Sequence, residues 1–197
     1  MNWKGIRVGC AMTGSFCTFS RAFEEYRKLK AEGASLLPVM SRNAWGTDTR
    51  FYRAEEARAI FREIAEREAL HTIEEVEPIG PKKLVDLMVV MPCTGNTMAK
   101  IALGITDTPA AMAVKSALRV GTPVLLAPAT NDGLGISAKN IGLLLSTKNI
   151  FFVPFGQDDP EKKPQSLVAR FDLFLNAAEK ALEGKQLQPV LTEKRER

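Results

Sequence analysis

Short aliphatic runs alternate with longer amphipathic segments along most of the chain. Five runs rich in Val, Ile, Leu and Met have the length and composition of buried strands: Ile6 to Ala11, Ser35 to Met40, Leu87 to Met91, Val124 to Ala127, and Ile150 to Pro154. The segments between them are long enough for helical crossovers. This alternation is typical of βαβ units, in which helices cover both faces of a parallel sheet.

The longer segments carry apolar residues at helical spacing. An aromatic stripe runs along the segment from Phe16 to Lys30, which stops at Gly33, a residue suited to the left-handed conformation at helix ends. Pro109 after Asp107 and Thr108 is a helix-opening signature. Further helices are predicted for Ala54 to Leu70, Pro109 to Val120, Ser137 to Ser146, and Leu167 to Leu182.

Polar stretches without periodicity, Ser41 to Arg53 and Phe155 to Gln165, are predicted to be loops. No internal repeat, low-complexity linker or composition shift divides the chain. The pattern therefore predicts one α/β domain over residues 1–197, flavodoxin-like or Rossmann, with three α/β/α layers around a mainly parallel sheet of five to six strands. Its core is expected to span about residues 5–184, with a flexible tail at 185–197.

Composition excludes several other classes of protein. Of 197 residues, 45% are apolar and 25% charged, as in ordinary globular domains, and no apolar run reaches the roughly 18 residues that cross a bilayer. The start, Met1 to Gly5, lacks the layout of a secretory signal, so we expect a cytoplasmic protein that does not bind membranes. The net charge is +4, and basic and acidic residues are mixed along the chain, which argues against a nucleic-acid partner.

The three cysteines, Cys10, Cys17 and Cys93, show neither a paired motif nor the spacing of metal ligands. We therefore expect reduced thiols, no disulfide framework and no metal site. Cys93 lies beside the candidate site described next, but no histidine is near it in sequence, so it is interpreted as a small apolar filler.

Small polar residues follow each of the first three predicted strands. Thr13-Gly14-Ser15 follows the first strand, Ser41 the second, and the run Thr94-Gly95-Asn96-Thr97 the third. Because parallel strands end at one edge of a sheet, we expect these groups to line a single crevice suited to a phosphate and a polar heterocycle. Each turn taken alone is also compatible with an ordinary helix cap.

Several side chains near these turns have two interpretations. Asn96 could contact a ligand or cap the next helix, and Lys100, one helical turn later, could face a bound anion or solvent. Arg42, Arg50 and Arg53 could bind a dicarboxylate by bidentate pairing or could simply be solvated. The sequence does not choose between these alternatives.

The run from Pro92 to Asp107 reads Pro-x-x-x-Asn-Thr-x-x-Lys-x-x-x-Gly-x-x-Asp. It resembles the signature of the homo-oligomeric flavin-containing cysteine decarboxylases, and the segment Pro128-Ala129-Thr130-Asn131 resembles their Pro-Ala-Met-Asn. The resemblance covers Ile6 to about Pro154. It implies a flavin mononucleotide (FMN) cofactor. Together with the polar strand ends described above, it predicts Asn96 as a candidate catalytic residue and these cofactor-binding residues: Thr13, Gly14, Ser15, Ser41, Thr94, Gly95, Asn96, Thr97, Lys100, Ala129, Thr130 and Asn131.

Two departures from that family concern its chemistry. The position matching its catalytic histidine is Pro78, and the one histidine of the chain, His71, is interpreted as a solvent-facing residue at a helix end. Thr130 replaces the methionine of the second motif. With the ending from Phe152 to Leu167, these departures resemble one branch of the family, the B subunits of dipicolinate synthases.

That branch implies a partner and a reaction. The partner is a dehydrogenase-like A subunit that would supply NADP, and the product is the dicarboxylate dipicolinate (pyridine-2,6-dicarboxylate), formed from a lysine-pathway dihydrodipicolinate precursor in the mother-cell cytoplasm during sporulation. Two alternatives stay open: an accessory subunit with a vestigial flavin site, and a flavin-dependent decarboxylase, which would lack its base.

The resemblance also implies a homo-oligomer, a trimer or a multiple of three. The helical segments after the third strand are apolar around much of their circumference. One face of the sheet can cover only part of this apolar surface, and the rest is expected to lie in a subunit contact. The alternative is that the C-terminal helix covers the remaining face. The apolar residues concerned are Met98, Ile101, Ala102, Ile105, Met112 and Ala113.

Overall fold

The computed structural model describes residues 1–192, in which seven strands form one mainly parallel sheet flanked by helices. The strands run β2-β1-β3-β4 across the sheet. Beyond β4, β5 lies parallel to its first half, and the antiparallel pair β7-β6 continues from its second half. The strands are β1 Arg7–Met12, β2 Ser35–Met40, β3 Leu87–Cys93, β4 Val124–Thr130, β5 Ile150–Phe152, β6 Phe155–Gly156 and β7 Leu167–Ala169.

Eight α-helices connect or follow these strands within the described residues, together with three short 3₁₀ turns at Phe16–Thr18, Glu77–Ile79 and Phe171–Leu173. The helices are α1 Phe19–Ala31, α2 Arg42–Gly46, α3 Ala54–Ala65, α4 Ile73–Val76, α5 Gly95–Ala102, α6 Pro109–Arg119, α7 Ala138–Leu145 and α8 Phe174–Leu182.

The central strands β3 and β4 are buried along their whole length. Their continuous apolar sequence is what a strand needs when both of its faces are covered. The aromatic stripe of α1 packs onto this sheet, and Tyr26 stacks on Phe61 of α3 with ring centroids 5.5 Å apart. Tyr26 also donates its hydroxyl to the carbonyl of Met91 at 3.0 Å, which joins α1 to β3.

The fold class and all five strands predicted from the sequence are confirmed. The predicted number of strands, five to six, is too low: β6 lies in a stretch predicted to be a loop, and β7 opens a segment predicted to be helical. Both are very short and are held by pairing with each other and with β4, and such distant pairing leaves no local periodicity.

One loop prediction and one helix prediction are also corrected. α2 lies within the segment from Ser41 to Arg53, which the sequence predicts to be a loop. The helix predicted to reach Leu70 ends at Ala65, because Glu66 takes a left-handed conformation (φ 57°) and Leu70 forms a bridge with Val39 beside β2. Gly33 has a positive φ of 102°, as its place after α1 predicts.

The first part of the predicted tail contacts the edge of the sheet. The Gln186 amide donates to the carbonyl of Phe152 and accepts from its N–H, both at 2.7 Å. Leu191 forms a parallel bridge with Phe155. The rest of the predicted tail, residues 193–197, lies outside the described residues. None of the helices in the described part has the length and apolarity to cross a bilayer.

A close approach at Gly80 gives a test of the packing between the Glu77–Ile79 turn and α6. The Ser116 hydroxyl donates to the Glu77 carbonyl at 2.5 Å and accepts from the Gly80 N–H at 2.8 Å. A Cβ atom at Gly80 would overlap the backbone carbonyl of Ser116. We expect Gly80→Ala to lower the free energy of unfolding by about 1–3 kcal/mol, measured by urea denaturation.

Gly142→Ala in α7 is the matched control, because a Cβ there meets no atom within 4 Å. It should leave stability unchanged or raise it by about 0.5–1 kcal/mol, since alanine is the better helix former. Equal stability of the two variants would contradict the close packing at Gly80.

Candidate functional site

Three of the helices that begin at the carboxyl end of the sheet are capped by the side chain of a preceding hydroxyl residue. Ser41 precedes α2, Thr94 precedes α5, and Thr108 precedes α6, and each side-chain oxygen accepts a hydrogen bond of 3.3 Å from the backbone N–H three residues later. The longer helices α5 and α6 therefore present the positive ends of their dipoles at this edge. Such an edge favours a negatively charged group.

A crevice of about 360 Å³ opens where the order of the strands reverses. The chain runs from β1 outward to β2 and from β3 outward to β4, so the segments that leave β1 and β3 diverge between these two strands, which is where open α/β sheets bind ligands. The volume lies within the range of small-molecule sites. The lining residues are Thr13, Gly14, Ser41, Arg42, Asn43, Thr94, Asn96, Thr97, Asp107 and Thr108.

Thr13 joins the two strands that flank the reversal. Its hydroxyl donates to the carbonyl of Pro92 at 2.8 Å and accepts from the Thr94 N–H at 3.0 Å. Its side chain is almost wholly buried. The Thr13 hydroxyl is therefore committed to holding the turns after β1 and β3 together.

The crevice brings together about half of the residues predicted to bind a cofactor. Those in its lining are Thr13, Gly14, Ser41, Thr94, Asn96 and Thr97. Those outside its lining are Ser15, Gly95, Lys100, Ala129, Thr130 and Asn131. Asn96 is exposed on the first turn of α5, and its amide makes no hydrogen bond with the described residues.

Gly95 and Thr130 belong to a polar cluster behind the start of α5. Asp132 accepts hydrogen bonds from the hydroxyls of Thr130 and Ser137, the latter at 2.9 Å. A Cβ at Gly95 would lie 2.7–2.9 Å from oxygens of these three side chains. The absence of a side chain at Gly95 thus lets the loop after β4 pack against α5, and the two residues have a packing role in this structure.

Lys100 reaches the crevice indirectly, through Asp107. Its ammonium lies 2.7 and 2.8 Å from the two carboxylate oxygens of Asp107. These hydrogen bonds and the charge of Lys100 lower the pKa of Asp107, and the charge of Arg42 acts in the same direction. Among the described residues of the lining, Asp107 is the one carboxylate, so its pairing with Lys100 leaves Arg42 as the uncompensated charge there.

Sequence reasoning did not place Asn43, Asp107 or Thr108 in the site. Two signals were available: Asp107 closes the signature run that begins at Pro92, and Thr108 precedes a proline at a helix start. Asn43 has no comparable signal, because it lies in a segment that the sequence predicts to be a loop.

His71 is not simply solvent-facing. Its ring stacks on Trp45 of α2, with centroids 3.8 Å apart and planes 6° from parallel, and its Nδ1 lies 3.4 Å from a carboxylate oxygen of Glu75. Arg58 of α3 also contacts the Trp45 ring and donates to the Trp45 carbonyl at 2.6 Å. These contacts fix α2, the helix that carries Arg42 and Asn43 into the crevice.

The cysteines agree with the prediction of free thiols. Cys10 and Cys93 are fully buried, and burial raises the pKa of both thiols, so neither is a thiolate at neutral pH. No group of three His, Cys, Asp or Glu side chains within residues 1–192 is arranged to hold a metal ion.

A second, larger cavity of about 450 Å³ lies away from the switch point, between α1 and the β6-β7 hairpin. Its charged lining is mixed, with Arg21 and Lys28 near Glu24 and Glu25. Glu25 is paired with Lys28 at 2.7 Å. This cavity lacks the converging helix starts and free amides of the crevice, so the crevice is the better candidate for a site.

Comparison with known proteins agrees with this interpretation of the fold. The flavoprotein family model matches residues 2–171. The B subunit of dipicolinate synthase from Bacillus subtilis (strain 168) is 47% identical over 190 residues, which cover 96% of this chain and 95% of that protein. The crystal structure of the corresponding B subunit from Bacillus halodurans superposes with a TM-score of 0.91 at 42% identity, covering 99% of this chain and 100% of that one.

A more distant structure shares only the fold. The dodecameric FMN-dependent UbiX-like decarboxylase from Escherichia coli O157:H7 superposes with a TM-score of 0.63 at 22% identity, covering 76% of this chain and 80% of that one. The family match and the whole-length similarity to two B subunits carry the assignment. The chain belongs to the flavoprotein family and is similar over nearly its whole length to the B subunits of dipicolinate synthases.

Proposed function

We propose that the crevice binds FMN and that the protein works with a dehydrogenase-like A subunit to form dipicolinate. The observation that carries the proposal is the crevice itself. It lies at the reversal of strand order and is lined by hydroxyl and amide groups, and the one carboxylate among its described lining residues, Asp107, is neutralised by Lys100. The 47% identity to a dipicolinate synthase B subunit directs the proposal to that reaction.

The lining fits a flavin phosphate in its chemistry. Ser41 and Thr108 use their hydroxyl oxygens as acceptors in the helix caps, which leaves both hydroxyl hydrogens free to donate. The Asn96 amide has two further donors, and α5 and α6 begin at the crevice. Ser41, Asn96, Thr108 and the backbone at Gly14 are the groups that would hold the cofactor.

Forming the aromatic ring of dipicolinate from a dihydro precursor removes two electrons and two protons, which a bound flavin is able to accept. The protein's own contribution is binding and orientation. Asn96 would orient the reacting molecule through its free amide, and the buried Thr13 would keep the two sides of the crevice at a fixed spacing. NADP would enter through the A subunit.

The decarboxylase alternative has less support. The position that matches the family's catalytic histidine is Pro78, in the Glu77–Ile79 turn, and proline has no titratable side chain. His71 is stacked on Trp45 and lies outside the described lining of the crevice. A proton-transfer step therefore lacks an available histidine in this chain.

We also propose a homo-oligomer, a trimer or a multiple of three. Leu103 and Ile105, at the end of α5, are 65% and 42% exposed, and an apolar groove of about 380 Å³ runs between α5 and α6 beside them. Met98 and Ala113, expected to contribute to this face, are instead buried in the core. α8 packs chiefly on α1 and strands β3 to β5, so it does not supply the cover considered as the alternative.

The flavin site is tested by Asn96→Asp, which adds a negative charge to the crevice without changing the size of the side chain. We expect FMN affinity to fall by about tenfold or more, because the new carboxylate repels the phosphate. The affinity for riboflavin, which lacks the phosphate, should change by less than about threefold. Flavin fluorescence titration measures both.

Asn176→Asp on the exposed face of α8 is the control and should leave FMN affinity unchanged. If the wild-type protein does not bind FMN at high micromolar concentration, the flavin proposal is wrong.

The role of this chain in synthesis is tested by assaying the A subunit alone and with this protein. We expect dipicolinate to form only with both, and Asn96→Asp to lower the rate by about tenfold or more without loss of A-subunit association. Full activity of the A subunit alone, or full activity of the pair containing Asn96→Asp, would make this chain an accessory subunit.

Assembly is tested by light scattering at micromolar concentration. We expect the wild-type protein to scatter as a multiple of its 21.7 kDa chain, and Leu103→Glu to dissociate it, because a charge would then be buried in the contact. Leu84→Glu, at an exposed leucine before β3, is the control and should leave the mass unchanged. A wild-type monomer would refute the assembly.

A further inference from the structure

Three arginines that the sequence leaves equivalent have different places in the structure. Arg42 lines the crevice. Arg50 lies over the ring of Phe51 at 4.8 Å, and Arg53 directly precedes α3, both outside the lining. We propose that Arg42 binds a carboxylate of a dicarboxylate ligand and is the residue that makes the crevice prefer such ligands. The proposal deepens the function proposed above and rests on it.

The guanidinium of Arg42 is free to bind a ligand. Within the described part of the chain it makes no hydrogen bond and no ion pair, whereas both oxygens of the neighbouring Asp107 are occupied by Lys100. Asp107 therefore neither holds Arg42 in a bidentate pair nor leaves an unbalanced negative charge. The crevice keeps one positive charge and five unused N–H donors, which attract an anion.

The backbone of Arg42 is held in place before any ligand binds. The Ser41 N–H donates to the Met12 carbonyl at 2.9 Å, which ties the start of α2 to β1. At the other end of the helix, Trp45 is stacked on His71 and contacted by Arg58. A side chain that starts from a fixed helix loses less conformational freedom on binding than one on a mobile loop.

Arg42 is left for a carboxylate in this crevice, because other groups there can bind the phosphate. The needs of a tetrahedral phosphate are met by the hydroxyls of Ser41 and Thr108 and by the starts of α5 and α6. The planar fork of a guanidinium pairs with a carboxylate or a phosphate through two parallel hydrogen bonds, so Arg42 is available for a second anion. Arg42 would thus bind the carboxylate, and the starts of α5 and α6 would bind the phosphate.

The test uses the full chain, with and without FMN, and pyridine-2,6-dicarboxylate as the probe, with its uncharged dicarboxamide as the comparison. Isothermal titration calorimetry at low ionic strength measures binding, since salt weakens an exposed ion pair. We expect Arg42→Ala to weaken dicarboxylate binding by about tenfold or more and Arg42→Lys by less. Dicarboxamide binding should not change. Arg50→Ala is the matched control and should bind the dicarboxylate as the wild type does.

Titration of FMN and riboflavin into the same variants separates this proposal from the flavin proposal. If Arg42→Ala keeps FMN affinity and loses dicarboxylate affinity, Arg42 serves the carboxylate as proposed. If Arg42→Ala loses affinity for FMN but not for riboflavin, Arg42 binds the phosphate and the proposal is wrong. It is also wrong if wild-type protein does not bind the dicarboxylate, or if Arg42→Ala and Arg50→Ala bind it equally. If FMN binds to none of the proteins but dicarboxylate binding still depends on Arg42, only the flavin proposal is wrong.

Discussion

Parallel strands end at one edge of a sheet, and the order β2-β1-β3-β4 makes the chain segments that leave β1 and β3 depart in opposite directions. The gap between them follows from this reversal, and its width is set where the Thr13 hydroxyl donates to the carbonyl of Pro92 and accepts from the N–H of Thr94. The turns after β1 and β3 are thereby held at one spacing. Gly14 and Asn96, two of the groups proposed to contact a ligand, lie in or beside these two turns.

The charges around the crevice are arranged so that few of them act on its interior. Lys100 and Asp107 neutralise each other across the start of α6, and Asp132 is held behind Gly95 by two hydroxyls. The partial positive ends of α5 and α6 and the guanidinium of Arg42 remain. A crevice of this kind selects for negative charge without a metal-ligating cluster among the described side chains.

Much of the fold could be predicted from local pattern, because buried parallel strands are continuous apolar runs and their helices repeat with a period of 3.6 residues. The convergence of Thr13, Ser41 and Thr94 on one edge also followed from sequence, since strand direction alone brings those ends together. Residues far apart in the chain could not be paired in this way. The contacts of Gly95 with Asp132 and of β7 with β4 depend on distances that no local periodicity records.

Three arginines in one polar segment look alike in the sequence, which determined only that positive charge would lie near the end of β2. The tertiary structure decided that Arg42 lines the crevice, while Arg50 and Arg53 lie outside its lining. The physical reason is that a side chain's direction is set by the backbone of its own turn and by what packs behind it. α2 has only five residues, too few to be stable alone, so its position depends on tertiary contacts such as the stack of Trp45 on His71.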